Sequence, residues 1–181
     1  MEQDGKPTVK KFSRLQRIAR YSVTVIASVL LIFVCIETYK FYRLTPNRLF
    51  NEKYKSYDLA NDTNETRIMK AYHEKKYGEV INLNANSVLS VKDIFLTGMA
   101  FLETNDLSRA ISSYQVVLAD VKNDPELKET AEYYLALAYL KNNDYDQSIE
   151  LMNAIHNNSS HLYTKKFSRK YINRVKRMKW R

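Results

Sequence analysis

Glycine and proline are scarce in this sequence, three of each in 181 residues. So few helix breakers, with 45% hydrophobic residues, favour an all-α protein, and the length allows one ordinary domain plus an appendage. A single cysteine, Cys35, makes no intramolecular disulfide, so the fold needs no oxidising compartment. Catalytic machinery is missing as well. The three histidines, His73, His156 and His161, lack metal-ligand spacing with cysteine or acidic partners. There is no glycine-rich phosphate loop and no G-x-S-x-G. Glu129, Glu132, Asp144 and Asp146 read as solvated helix ends, because acidic side chains favour first turns. These absences argue against an enzyme, a cofactor or a metal.

Acid is missing from the end of the chain. After Glu150 come nine basic residues and no acidic one. Residues 21–150 carry 14 basic and 18 acidic groups, and the first twenty residues carry six basic against Glu2 and Asp4. The net charge of +9 thus sits at the two ends, around a mildly acidic middle. A nucleic-acid-binding domain would itself be basic, so nucleic acid is not the expected partner of the main body.

One long run has no charge at all: Tyr21 to Ile36, sixteen residues, YSVTVIASVLLIFVCI. Counted to Tyr39, it reaches the about 17 to 20 helical residues that cross a hydrocarbon core. Tyr21 at one edge, with Tyr39, Phe41 and Tyr42 at the other, resembles interfacial aromatic belts. A cleaved signal peptide needs small residues at its cleavage site, and Glu37-Thr38-Tyr39-Lys40 offers none. A lipoprotein needs a small residue just before its cysteine, but Phe33-Val34 precedes Cys35. A buried core helix would not carry clustered basic residues before it and aromatics after it. The expectation is an uncleaved membrane anchor over Tyr21–Tyr39. Six Lys/Arg before the span, against Lys40, Arg43, Arg48, Lys53 and Lys55 soon after it, favour an inside N-terminus by a slight margin.

The rest of the chain is organised around Ile94 to Leu118. Phe95, Gly98, Met99, Phe101 and Leu102 recur at the three- and four-residue steps of one helical face. Glu103-Thr104-Asn105 interrupts the pattern, and Asp106 stands where it would cap a new helix. Leu107, Ala110, Ile111, Tyr114 and Leu118 form the next face, and Gly98 and Ala110 let two backbones approach. Such a pair cannot bury its apolar face alone, and the chain repeats it. Leu135-Ala136, Tyr139, Asp144-Tyr145, Ile149, Met152 and Ile155 copy the pattern 38 residues on. Tyr77, Val80 and Ile81 copy Leu107, Ala110 and Ile111 from 30 residues before.

This pattern resembles the tetratricopeptide repeat family. The family places a small residue in helix A, an aromatic three positions later, a small residue in helix B, and a large apolar residue four positions after that. Gly98, Phe101, Ala110 and Tyr114 fill these places, as do Ala136, Tyr139, Ser148 and Met152, with Ser148 a departure. The first repeat matches around Tyr77. The family's helix-A tryptophan and closing proline are absent, and the usual period is about 34 residues. The resemblance implies a right-handed superhelix of about three helix pairs, with helix-A side chains lining a concave face that binds a partner protein or peptide segment. The family's groove positions fall on Phe95, Met99 and Leu102, on Tyr133, Leu137 and Leu140, and on Met69 and Tyr72. These residues suit an adaptable hydrophobic peptide site better than a carboxylate clamp, although each is equally a candidate for core. Among tetratricopeptide proteins, the chain is similar to short bacterial membrane-anchored members whose arrays lie on the periplasmic side. That implies the inner membrane, a cytoplasmic N-terminus and periplasmic repeats.

The expected divisions are a basic cytoplasmic tail over 1–20, the anchor over 21–39, a linker over 40–62, repeats over 63–158 and a basic capping helix over 159–181. Pro46-Asn47 stops any continuing helix, and Leu49 to Tyr54 reads as a short amphipathic turn on the first repeat or the membrane surface. Ser90-x-x-Asp93, Asp124-Pro125 and Asp144 are helix starts. In the final helix, about Leu162 to Trp180, Tyr163, Phe167, Tyr171, Val175 and Met178 make one apolar stripe for covering the last repeat, with the cations outward. The alternative is that this basic helix carries the function by binding an anionic surface, lipid head groups or nucleic acid, with the array as a spacer.

Overall fold

The computed structural model describes residues 14–59, 66–84, 89–121 and 124–179, and it has two compact units, Met1–Arg43 and Leu44–Arg181. No strand occurs among the described residues. In the first unit, α1 (Arg14–Tyr42) continues past both ends of the apolar run. Its stretch Tyr21–Tyr39 is long and apolar enough to cross a membrane, and none of it is buried. Val23, Val25, Ile26 and Leu31, which point in four directions around the helix, are all exposed, so apolar surface faces every side, the pattern of a helix that needs an apolar surrounding. Hydroxyls within the run are satisfied by their own helix: Ser28 donates to the Thr24 carbonyl at 2.9 Å and Thr38 to that of Val34 at 2.8 Å. The expected basic tail lies outside the described residues over 1–13, and its remainder opens α1.

The second unit contains α2 (Pro46–Lys53), α3 (Arg67–His73), α4 (Tyr77–Asn84), α5 (Val91–Glu103), α6 (Leu107–Asp120), α7 (Pro125–Lys141), α8 (Tyr145–Asn157) and α9 (Arg169–Met178). From α3 to α9 each helix packs on the next, giving three pairs and a closing helix. The first helices of the pairs also touch, α3 on α5 and α5 on α7, and so form a row. The turns inside the pairs are copies of one another. Lys75, Asn105 and Asn143 have positive φ of 57°, 64° and 68°. The N–H one residue on reaches back to a carbonyl of the preceding helix: Lys76 to Ala71, Asp106 to Phe101 and Asp144 to Tyr139, at 2.8, 2.8 and 2.9 Å. This is the Schellman ending, in which a left-handed residue lets late N–H groups satisfy orphan carbonyls. Its spacings of 30 and 38 residues equal the offsets of the apolar pattern, so even the faint first repeat has the same turn.

Capping follows the expectations at three of four starts. Ser90 and Asp93 form a reciprocal capping box, Asp106 accepts from the Arg109 N–H, and Asp124 accepts from the Leu127 N–H with Pro125 in the first turn. Asp144 stands at the start of α8 but makes no side-chain cap; its carboxylate accepts from Asn142 Nδ2 at 2.7 Å instead. Close crossings lie where small residues were expected. A Cβ on Gly98 would stand 2.9 Å from Tyr114 Cε1, and Ser148 donates to the Ala136 carbonyl at 2.9 Å. The Ser148 hydroxyl is thus hydrogen-bonded although fully buried, which is why a polar residue is tolerated there.

Two expectations change. The final helix does not begin at Leu162. His161 is 4% exposed, its Nε2 lies 3.1 Å from Glu132 Oε2, and Nδ1 accepts from the Tyr163 N–H at 3.0 Å. Glu129 accepts from the Leu162 N–H at 2.8 Å. Both glutamates, read from sequence as solvated helix ends, therefore pin a series of turns, and α9 starts only after Ser168, which caps it through the Tyr171 N–H. Trp180 lies outside the described residues. Phe167, Tyr171, Val175 and Met178 are buried and α9 packs on α8, so the stripe does close the stack. The second change concerns residues 40–62. Residues 40–42 complete α1, Leu44 to Leu59 belong to the second unit, and 60–62 lie outside the described residues. α2 packs on α7 and α9, not on the first repeat.

Candidate peptide groove

The row of first helices is rich in tyrosine. α3 contributes Tyr72, α5 Phe95 and Glu103, and α7 Tyr133 and Tyr134, with Tyr171 following on α9. Across this row runs the chain's own segment beyond α2. At Tyr54 the backbone turns extended, with φ −64° and ψ 132°. The Tyr133 hydroxyl donates to the Lys53 carbonyl at 2.7 Å, Tyr134 to that of Lys55 at 2.8 Å, and Tyr72 to that of Tyr57 at 3.1 Å. Successive groups of an extended chain point to opposite sides, so every second carbonyl faces the helices and meets a tyrosine. Tyr171 adds a fourth bond, to the Leu49 carbonyl of α2 at 2.7 Å. The segment runs from the α9–α7 end of the row towards α3, opposite to the order of the repeats.

Side chains fill the space between these bonds. Tyr54 stacks on Phe50 at 4.6 Å, meets Tyr134 edge-on at 6.1 Å, and donates to Glu103 Oε1 at 2.6 Å. Tyr57 meets Phe95 edge-on at 5.0 Å and Tyr134 at 6.5 Å. The Lys141 ammonium lies over the Phe50 ring at 4.7 Å. Arranged edge-to-face or stacked, each ring pair is worth about 0.5–1.5 kcal/mol beyond its burial. Burial pushes the Tyr72 hydroxyl up to about 12 and raises Tyr133, Tyr134 and Tyr171 further. Tyr54 is raised by burial first and then by its bond to Glu103. At neutral pH these hydroxyls are un-ionised donors, as carbonyl recognition requires. Burial also lowers the Lys141 ammonium below its usual value.

All eight residues mapped from sequence are buried: Met69 at 5%, Tyr72 at 4%, Phe95 at 0%, Met99 at 0%, Leu102 at 1%, Tyr133 at 3%, Leu137 at 0% and Leu140 at 0% exposed. Tyr72, Phe95 and Tyr133 come together on the segment. Met99 faces the other way, its sulfur accepting from the Tyr114 hydroxyl at 3.1 Å inside the α5–α6 pair. Met69, Leu102, Leu137 and Leu140 belong to the hydrophobic core. The residue that sequence mapping passed over is Tyr134. Its ring meets Tyr54, Tyr57, Phe95, Tyr114 and Tyr133. A one-face stripe admits Tyr133 or Tyr134 but not both, whereas a groove bounded by neighbouring helices takes adjacent residues. The sequence signal was the surplus of tyrosine, fourteen in all, and the tyrosines of 54–57 in particular.

Among the described residues no group of His, Cys, Asp and Glu is placed to hold a metal ion. Residues 130–159 match the family model of the tetratricopeptide repeat, a span covering most of α7 and all of α8. No curated protein matches the chain, and no solved structure does.

Proposed function

We propose that this chain, which carries a tetratricopeptide repeat in its third helix pair within an all-helical stack, is a single-pass membrane scaffold that binds an extended segment of a partner protein along the α3–α5–α7 row. The observation that carries this is the ladder of tyrosine hydroxyls on the carbonyls of Lys53, Lys55 and Tyr57. It recognises backbone, so any extended chain meets its terms, and the aromatic places beside Phe95 and Tyr134 supply selectivity. Tyr72, Phe95 and Tyr133 are the contacting members of the sequence-mapped set; Tyr134 joins them, and Met69, Met99, Leu102, Leu137 and Leu140 support them from the core. In the resting chain residues 53–57 hold the groove, so a partner enters by exchange. A tethered occupant acts at an effective concentration of about a millimolar, so a partner must bring extra contacts or bind more tightly. The anchor is Tyr21–Tyr39 in the inner membrane, with the N-terminus cytoplasmic and the repeats outside. The length and composition of the run support the anchor, and the slight charge bias supports the orientation.

Two variants with opposite signs test this. Tyr54→Ser with Tyr57→Ser weakens the tethered occupant without touching the helices, and raises the yield of partner proteins cross-linked to the full chain in its source membranes. Added to those two substitutions, Tyr133→Phe with Tyr134→Phe removes two donating hydroxyls from a groove its own segment holds weakly, and lowers the yield again. Yields that move together, or not at all, in variants with unchanged helical circular dichroism refute the groove.

A further inference from the structure

The outer face of α9 is a second surface, independent of the groove. Arg169, Lys170, Lys176 and Arg177 are exposed, and their spacing sets them on one side of the helix with exposed Asn173 between them. Lys165 and Lys166, in the turn before α9, are exposed as well. The opposite side of the helix, Tyr171, Ile172, Val175 and Met178, is buried within the unit. The apolar stripe therefore has its partner inside the chain, and the cations do not. Arg174 pairs with Glu52 at 2.7 Å and Lys179 with Asp146 at 2.6 Å. The other six cations make no ion pair among the described residues, and no acidic residue follows Glu150. Like charges one turn apart repel and weaken a helix, and a solvated cap is served as well by mixed signs. A surface of one sign at that cost fits an anionic partner.

Its place in the chain narrows the partner. α9 holds α2 through the Tyr171–Leu49 and Arg174–Glu52 bonds. α2 begins at Pro46, seven residues after Tyr39, the end of the apolar run. A chain leaving a bilayer there does so at head-group level, so few residues separate the unit that holds α9 from a leaflet whose anionic charge attracts cations within about 8–10 Å. We propose that Lys165, Lys166 and the Arg169, Lys170, Lys176 and Arg177 face of α9 dock on the head groups of anionic phospholipids. Guanidinium and ammonium groups donate to phosphate oxygens, and no apolar side chain of α9 inserts, because that side is buried in the unit. The contact is therefore electrostatic and sensitive to salt. It rests on the reading of α1 as a membrane anchor.

The full chain, carrying Cys35→Ser and a fluorophore at Asn173→Cys, is placed in nanodiscs of phosphatidylcholine alone or with about a third phosphatidylglycerol. Each basic group near an anionic surface multiplies the docked population about fivefold. The expected result is that phosphatidylglycerol protects the probe from acrylamide quenching several-fold, that high salt removes the protection, and that Arg169→Gln, Lys170→Gln, Lys176→Gln and Arg177→Gln together remove it with melting unchanged. Equal quenching in both discs, with the chain retained in both, overturns the docking and leaves the anchor standing. A chain lost from the neutral discs but held by the anionic ones at low salt supports the docking and overturns the anchor. A short DNA duplex that protects the probe in neutral discs as well as phosphatidylglycerol does assigns the face to nucleic acid and overturns the lipid proposal.

Discussion

Gly78 and Gly98 both lie in helices of the second unit, and alanine at the two positions has opposite consequences. Helix propensity favours alanine over glycine by about 1 kcal/mol in a helix interior, where Gly98 lies, and by less in a first turn, where Gly78 lies. At Gly78 a Cβ meets nothing within 4 Å, so Gly78→Ala keeps that gain and stabilises by about 0.4–1 kcal/mol. At Gly98 the Cβ lands 2.9 Å from Cε1 and 3.2 Å from Cδ1 of Tyr114, and 3.1 Å from Ser113 Cβ. Tyr114 has no room to swing. It is 0% exposed, its hydroxyl donates to Met99 Sδ, and its ring faces Phe95 at 5.8 Å and Tyr134 at 6.4 Å. Overpacking costs about 1–3 kcal/mol, which exceeds the propensity gain. Gly98→Ala is thus expected to destabilise by about 1 kcal/mol, and Gly98→Leu, with more carbons in the same place, by about 3 kcal/mol or more. The assay is urea unfolding of the fragment Leu44–Arg181 followed by far-ultraviolet circular dichroism, with the slope m unchanged. The fragment starts at Leu44 because Leu44 and α2 are part of its core and the groove segment packs against it. In a thermal melt 1 kcal/mol corresponds to about 3–4 °C in a fragment of this size. A Gly98→Ala midpoint that rises like that of Gly78→Ala refutes the close crossing.

Three further outcomes are expected of the same fragment. Lys75 has a left-handed φ of 57° without the side-chain chemistry that helps asparagine there, so Lys75→Gly raises stability by about 1 kcal/mol in urea; a loss would show that the lysine side chain outweighs its backbone strain. Tyr134→Phe costs about 0.5–1.5 kcal/mol for the bond to Lys55, whereas Tyr134→Ala costs about 3–5 kcal/mol for a cavity at the meeting point of the rings, and equal losses would mean that the rings do not pack as described. Alkaline pH should loosen the fold. Tyr54, Tyr72, Tyr114, Tyr133, Tyr134 and Tyr171 have raised pKa values, so their stabilisation is complete below the unfolded value of about 10 and is lost as pH rises through about 12, where Tyr72 ionises. The urea midpoint is flat near neutrality and falls from pH 10 upward; tyrosines half ionised at pH 10 in a still-folded fragment, as free phenols are, would refute the burial.

The helix pairs were legible because their causes are local. Apolar residues at helical spacing, the Ser90–Asp93 box, Asp106 and Asp124–Pro125 act within a few residues of themselves, and the offsets of 30 and 38 reappear in the turns at Lys75, Asn105 and Asn143. The apolar run of α1 and the stripe of α9 were readable for the same reason. Periodicity shows that a face is buried without showing what buries it. Phe95, Tyr133 and Tyr72 read equally as core and as an open groove, and only the tertiary structure laid the segment after α2 upon them. The bonds that do so join residues 80, 79 and 15 positions apart, and that of Tyr171 to Leu49 joins residues 122 apart. The receiving atoms are backbone carbonyls, which every residue carries, so no side-chain pattern marks them in the sequence. Tyr134, adjacent to Tyr133, takes its central place because several elements converge on one residue, a property of the packed stack and not of any single helix.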